Sequence, residues 1–164
     1  MNIKLKGKYL YYFNHKIRCT LGKNGITKNK QEGDFKTPKG IFKLKKIFYR
    51  KDKIKFIKTI LKKIYIKKNI GWCDDPTSKY YNKEIKFPFK DSAEKLWRKD
   101  NIYDIIIVLN YNFNPIIKNK GSAIFLHICK KNYAATKGCI AINKKDMINL
   151  LANIKRNIFI LFKL

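Results

Sequence analysis

Residues 122–142 constrain the fold of this chain more than any other segment. From Ala123 to Ile128 the side chains alternate, so that Ile124, Leu126 and Ile128 face one way while Phe125 and His127 face the other, as in a strand with one face in a core. Cys139 to Ile142 reads as a second strand, entered through the turn Thr136-Lys137-Gly138. Together they set one histidine and one glycine-preceded cysteine on rigid elements, the kind of support that holds reacting groups in fixed geometry.

A free thiol with its ordinary pKa of about 8.5 is only a few per cent thiolate at neutral pH, so a catalytic cysteine needs a base or a cation beside it. His127 meets that need for Cys139. Gly138 lets the backbone approach a substrate closely, and the N–H groups of Gly138 and Cys139 are placed to point at a developing oxyanion. Thr136 adds a hydroxyl to the same turn. The competing reading is structural, because unpaired cysteines are among the most buried residues and a lone histidine at a strand end often serves packing. Cys129, two residues after His127 and on the same face, is a rival nucleophile by position. It lacks the glycine turn and reads as a small packing group.

Elsewhere the short-period signals are mostly strands. Residues 8–13 and 16–21 read as a hairpin joined by Asn14 and His15. Residues 22–40 are polar and glycine-spaced, a long loop ahead of a strand over 41–49, and loops of that length are often functional. Residues 51–70 are rich in lysine and isoleucine without a decisive period. Asp91 and Glu94 read as the capping pair of a short helix carrying Leu96 and Trp97. The unbroken apolar run Ile105 to Leu109 suits a central strand buried on both faces. Asn143 caps a helix through Asn153, with Asp146 in its first turn and Met147, Leu150, Leu151 and Ile154 as its apolar stripe. Residues 158–162 close the chain as a buried strand, and residues 1–164 read as a single domain.

His127, the run Thr136-Lys137-Gly138-Cys139 and the segment Thr37-Pro38-Lys39-Gly40-Ile41-Phe42 together resemble the L,D-transpeptidase (YkuD-type) catalytic domain family of bacterial cell-wall enzymes. In that family a Ser/Thr-x-Gly-Cys motif carries the nucleophile, a histidine lies upstream and a Thr-Pro-x-Gly-x-Phe loop opens the domain. Gly71-Trp72-Cys73-Asp74-Asp75-Pro76, Tyr81-Asn82, the stretch from Glu94 to Arg98 and Tyr103-Asp104 extend the resemblance to a small stand-alone branch, over about residues 18–151. The resemblance implies a mainly β fold, a β-sandwich with a short helix packed on one side. It also implies acyl transfer on peptidoglycan stem peptides through a Cys139 thioester, with His127 as general base. An amine acceptor gives transpeptidation; water gives L,D-carboxypeptidase or endopeptidase activity, the alternative. Many members have glycine after the histidine and arginine two places after the cysteine, where this chain has Ile128 and Ala141. The nucleophile and base carry over; the carboxylate contacts do not.

Three places are candidates for the substrate wall. Trp72 and Asp75 lie in a polar, proline-terminated turn, Tyr111 lies just past the apolar run, and Lys137 sits inside the cysteine turn. Aromatic and acidic side chains there suit an amine-bearing stem peptide. The equal alternative makes Trp72 core and Asp75 a turn cap. Cys19, Cys73, Cys129 and Cys139 form no C-x-x-C pair and have no second histidine at zinc spacing, so neither a metal site nor another cofactor is expected, nor are disulfides.

The charge balance, 39 basic against 11 acidic residues for a net +28, ordinarily points to nucleic acid, an anionic membrane or another polyanion. Only Arg18, Arg50, Arg98 and Arg156 are arginines, and lysine comes with abundant asparagine and isoleucine, the trio that an A+T-rich genome favours. The charges are also dispersed rather than gathered in one arm. No specific nucleic-acid partner is therefore expected, and a non-enzymatic polyanion-binding module stands as the rival class. The N-terminus shows no 7–15-residue apolar run or cleavage site, and no stretch approaches the ~20 apolar residues of a membrane span. No export signal is visible, whereas the resemblance implies the periplasm or cell envelope. A polyanion binder would lose about 0.9 in log K per phosphate contact for each unit of log salt. We expect only weak, sequence-blind nucleic-acid binding that moderate salt removes, with D-alanine release surviving the same salt. Filter binding and release assays run in parallel check this; tight, sequence-selective binding without release would reverse it.

Overall fold

The computed structural model describes residues 2–162. In chain order these form β1 (Ile3–Lys6), β2 (Tyr9–Tyr12), β3 (His15–Thr20), β4 (Ile26–Thr27), β5 (Thr37–Pro38), β6 (Gly40–Tyr49), β7 (Lys62–Tyr65), β8 (Ile70–Cys73), β9 (Glu84–Lys86), β10 (Ala93–Lys95), β11 (Ile105–Leu109), β12 (Phe125–Ile128), β13 (Ile140–Ile142), α1 (Lys144–Asn153) and β14 (Phe159–Phe162).

All five residues of the apolar run in β11 are buried, so that strand needs cover on both faces, and the architecture supplies it. Strands β11, β12, β13, β3, β2, β1, β14 and β6 follow in hydrogen-bonded order, and β6 also pairs with β11, so the order closes on itself. Two strands turn the corners. β6 gives residues 40–43 to β14 and residues 44–49 to β11, and β3 gives residues 15–18 to β2 and Cys19 and Thr20 to β13. A strand that passes from one sheet to the next is how a sandwich bends between its layers. Among the described residues the fold is mainly β and sandwich-like with one helix, as the resemblance implied.

Leu5, Leu10 and Ile17 of one sheet meet Ile107, Leu126 and Ile140 of the other, and Met147, Leu150 and Leu151 of α1 join the same core. The helix begins where its capping residue predicts: Asn143 Oδ1 accepts the Asp146 N–H at 2.8 Å. On the outer face of the second sheet Phe48, Ile106, Val108 and Phe125 are covered by Trp72, Leu96 and Tyr103, carried by the three-stranded sheet β10-β8-β9 and the loop that follows it. The alternation in β12 is therefore real, but all four of its residues are buried. This corrects the expectation of a strand with one open face.

Three local readings are also corrected. Residues 93–95 form β10 rather than opening a helix: their backbone pairs with β8, Asp91 accepts from the Ser78 hydroxyl, and Glu94 is drawn to Tyr103. Tertiary partners outweigh a local capping signal there. His15 opens β3 opposite Tyr12, so the hairpin turn is Phe13-Asn14. Ala123 adopts a left-handed φ of 51° and β12 begins only at Phe125. β1 is an element that the sequence reading does not predict; Ile3 and Leu5 alternate with lysines, and parallel pairing with β14 gives this short run its place.

Ile107 has no exposed surface and fills the space between the sheets. Ile107→Ala is expected to cost about 2–5 kcal/mol of unfolding free energy, part transfer and part cavity, read from urea denaturation.

Candidate active site

β12 and β13 are parallel neighbours, with Leu126 opposite Ile140 and His127 opposite Ala141. His127 and Cys139 consequently project from the same face of the sheet, the one roofed by Tyr103, and both line one cavity of about 540 Å³. The Tyr103 ring stands edge-on to the His127 ring at 5.2 Å. His127 is 5% exposed.

Imidazole Nδ1 lies 2.9 Å from the Ile128 carbonyl oxygen. A carbonyl only accepts, so Nδ1 carries the hydrogen and Nε2 is left as the basic nitrogen. The thiol of Cys139 donates to the Ala123 carbonyl at 3.1 Å and accepts the Phe125 N–H at 3.4 Å. Burial, with the Glu94 carboxylate adding to it, pushes the thiol up to about 12, against smaller pulls from the Phe125 N–H and from Lys30. Burial drives the imidazole down to about 4 from its ordinary 6.5, opposed by its bond to Ile128 and reinforced by Arg98. The resting pair is therefore a neutral thiol and a neutral imidazole, not an ion pair.

The turn before Cys139 is fixed by hydroxyls. Thr136 Oγ1 donates to the Cys139 carbonyl at 2.6 Å and accepts the Gly138 N–H at 3.1 Å. Thr37, wholly buried, donates its hydroxyl to the Gly138 carbonyl at 2.9 Å and accepts the Gly22 N–H. The Thr37-Pro38 loop thus clamps the turn from 101 residues away. Gly138 has φ 141°, and a Cβ there would stand 3.0 Å from the Lys36 carbonyl, so the turn requires glycine.

A family model described as the L,D-transpeptidase catalytic domain (YkuD) matches residues 2–160. The chain belongs to the L,D-transpeptidase catalytic domain family. No curated protein matches it.

Within this L,D-transpeptidase fold, Cys139, His127, Thr136, Lys137 and Gly138 all line the one cavity. Of the suggested substrate wall only Lys137 joins them; Trp72, Asp75 and Tyr111 do not. Trp72 is 3% exposed, packed between Phe113 and Phe125 and donating its indole N–H to Asn82 at 2.9 Å; it is core. Asp75 folds back on its own turn, accepting from the Thr77 N–H and hydroxyl. Tyr111 packs edge-on to Phe42 at 5.5 Å, donates to the Lys120 carbonyl and lines a second cavity. Cys129 also lines the first cavity, and burial raises its thiol.

Other groups on the cavity were not foreseen as site residues: Lys30, Glu94, Arg98, Tyr103 and Ser122. Tyr103 donates to Glu94 Oε1 at 2.9 Å, and burial raises the Glu94 carboxyl above its ordinary value. Glu94 and Tyr103 lie in motifs that singled themselves out in the sequence; Lys30 and Ser122 had no signal beyond their proximity to motifs. None of the four cysteines is bonded to another. Among the described residues no three metal-ligating side chains gather, and no helix is long and apolar enough to cross a membrane.

The depressed His127 pKa makes a stability prediction with a definite sign. Between pH 6.5 and about 4 the unfolded chain binds a proton at this position that the folded chain refuses, so folding stability falls as pH drops through that window. Glu94, raised in the fold, acts in the opposite sense, losing its contribution as pH rises. It cancels when wild type is compared with His127→Gln. Urea titrations are expected to show a difference between the two proteins that is flat above pH 6.5 and shifts against wild type towards pH 4.

Proposed function

We propose that this chain is a cysteine-dependent acyltransferase acting on peptidoglycan stem peptides, with Cys139 as nucleophile and His127 as general base. The observation that carries the proposal is the common cavity. A thiol from a hydroxyl-braced glycine turn and an imidazole whose tautomer leaves a basic Nε2 line the same cavity.

The scissile carbonyl enters beside Cys139, the thiol proton moves to His127 Nε2, and sulfur bonds to the carbonyl carbon. Because the pair rests neutral, charge develops only as the bond forms, which favours stabilisation in the transition state over the ground state. The Gly138 N–H is committed to Thr136 Oγ1, so the oxyanion is assigned to the Cys139 N–H rather than to both amides of the turn. Collapse of the intermediate breaks the C–N bond. The departing D-amino acid takes the proton from His127, leaving a thioester. An amine then attacks for transpeptidation, or water for carboxypeptidase activity, and the proton returns to sulfur. The chain acts as one catalytic domain, and its substrate places its work at the cell envelope.

With disaccharide-tetrapeptide as donor and D-alanine release followed by mass spectrometry, Cys139→Ser is expected to abolish turnover while Cys129→Ser keeps most of it. His127→Gln is expected to lose at least ~10²-fold in rate. Turnover kept by Cys139→Ser and lost in Cys129→Ser would overturn the assignment.

A further inference from the structure

On the side of Cys139 that faces the loop 22–40, the cavity carries two buried polar groups that the acyl-transfer steps leave unused. Lys30 is 4% exposed. Its ammonium gives one N–H to the Gln31 carbonyl at 2.6 Å and one to Asp34 Oδ1 at 2.7 Å, which leaves a third donor of the three that an ammonium owns. Ser122 is 7% exposed, and its Oγ is a buried polar atom without a hydrogen-bond partner among the described residues. Both line the cavity that holds Cys139.

The backbone is cut away to admit the lysine. A Cβ on Gly121, which has φ 92°, would stand 2.9 Å from Lys30 Cγ and 3.3 Å from its Nζ, and a Cβ on Gly138 would stand 3.7 Å from Lys30 Cε. The ammonium therefore lies between the residue preceding Ser122 and the residue preceding Cys139. An Asp34-paired ammonium with a donor to spare, lining the same cavity as an unpartnered hydroxyl, offers a carboxylate two hydrogen bonds, one of them charge-assisted. The position suits one carboxylate in particular. A residue spans at most ~3.6 Å of chain, so when the scissile bond is the last of the peptide, the terminal carboxylate lies one residue's length from the nucleophile.

We propose that Lys30 and Ser122 form a subsite for the free α-carboxylate of the departing terminal residue, which selects donors ending one residue beyond the scissile bond. This rests on the acyl-transfer reading. It assigns the loop 22–40 a specificity role in addition to its clamp on Gly138. The positive charge comes from that loop, not from β13, where Ala141 has none to offer.

The test compares two donors of equal size, disaccharide-tetrapeptide ending in D-alanine and the same compound ending in D-alaninamide, by release of D-alanine or D-alaninamide with full-length protein. Wild type is expected to prefer the acid by at least tenfold in kcat/KM. Ser122→Ala and Lys30→Gln are expected to bring the acid-to-amide ratio close to one, and Lys30→Arg to keep much of it. Ser122→Ala removes a hydroxyl that holds nothing in the fold, so it keeps the test open if Lys30→Gln disturbs the loop. Equal turnover of both donors by wild type leaves acyl transfer standing and overturns the subsite. So does a fall of the same factor on both donors in the variants, because that is the mark of a structural role. Release from neither donor by the folded protein overturns the acyl-transfer reading, and the subsite with it.

Discussion

In the parallel pairing of β12 with β13, the register of His127 opposite Ala141 sends the side chains of Phe125, His127 and Cys139 to one face of the sheet. A slip of one residue would turn His127 into the inter-sheet core and leave the cysteine alone. What pins the register is the inner face: Leu126, Ile140 and Ile142 belong to the fully apolar space between the sheets, where a histidine would be costly. Parallel neighbours also cannot be joined by a tight turn. Residues 129–139 must therefore leave the sheet and return, and the returning turn is where Cys139 sits.

The small sheet β10-β8-β9 then decides the chemistry of the pair. With the loop that follows it, it roofs the outer face with Trp72, Leu96 and Tyr103 and shields His127 from water, and a dry site penalises whichever form is charged. The thiol is pushed up and the imidazole down, so both rest neutral. Two of the ionisable groups that line the cavity are individually bonded. Lys30 has Asp34 at 2.7 Å, and Glu94 has the Tyr103 hydroxyl. Of the +28 charge, Lys95, Lys130 and Lys137 also reach the cavity wall, but on its exposed side, where solvent and salt screen them.

Legibility in the sequence followed sequence separation. The period-two runs, the capped helix and the apolar run at 105–109 declare themselves locally, and all appear in the fold. The positions of His127 and Cys139 were legible for the same reason, His127 lying on its own strand and Cys139 in the turn that enters the next. Trp72 was not, because exposure depends on what packs above: Phe113 and Phe125 come from more than forty residues away. Glu94 misled, since a carboxylate three residues after Asp91 looks like a cap until Tyr103 and β8 supply stronger partners. Thr37 was visible as part of a motif, yet its bond to Gly138 spans 101 residues and no local pattern states it.

Ala141 shows how a departure within one strand is absorbed by others. It is 1% exposed, opposite His127 and on the cavity wall, so a long cationic side chain at that position would emerge directly beside the imidazole. Such a cation would depress the imidazole further, by the same electrostatics through which Arg98 already acts on it. With alanine there, the cations reach the cavity from loops. Arg98 is held by Asp100 in a two-point contact, and Lys30 is held by Asp34. Each arrives with a fixed counter-charge, which limits its effect on His127 while leaving donors for a ligand. On the proposed reading, the geometry separates two demands that one arginine on β13 would have to reconcile: an uncharged imidazole on the same cavity as Cys139 and a positive group close enough to hold a carboxylate.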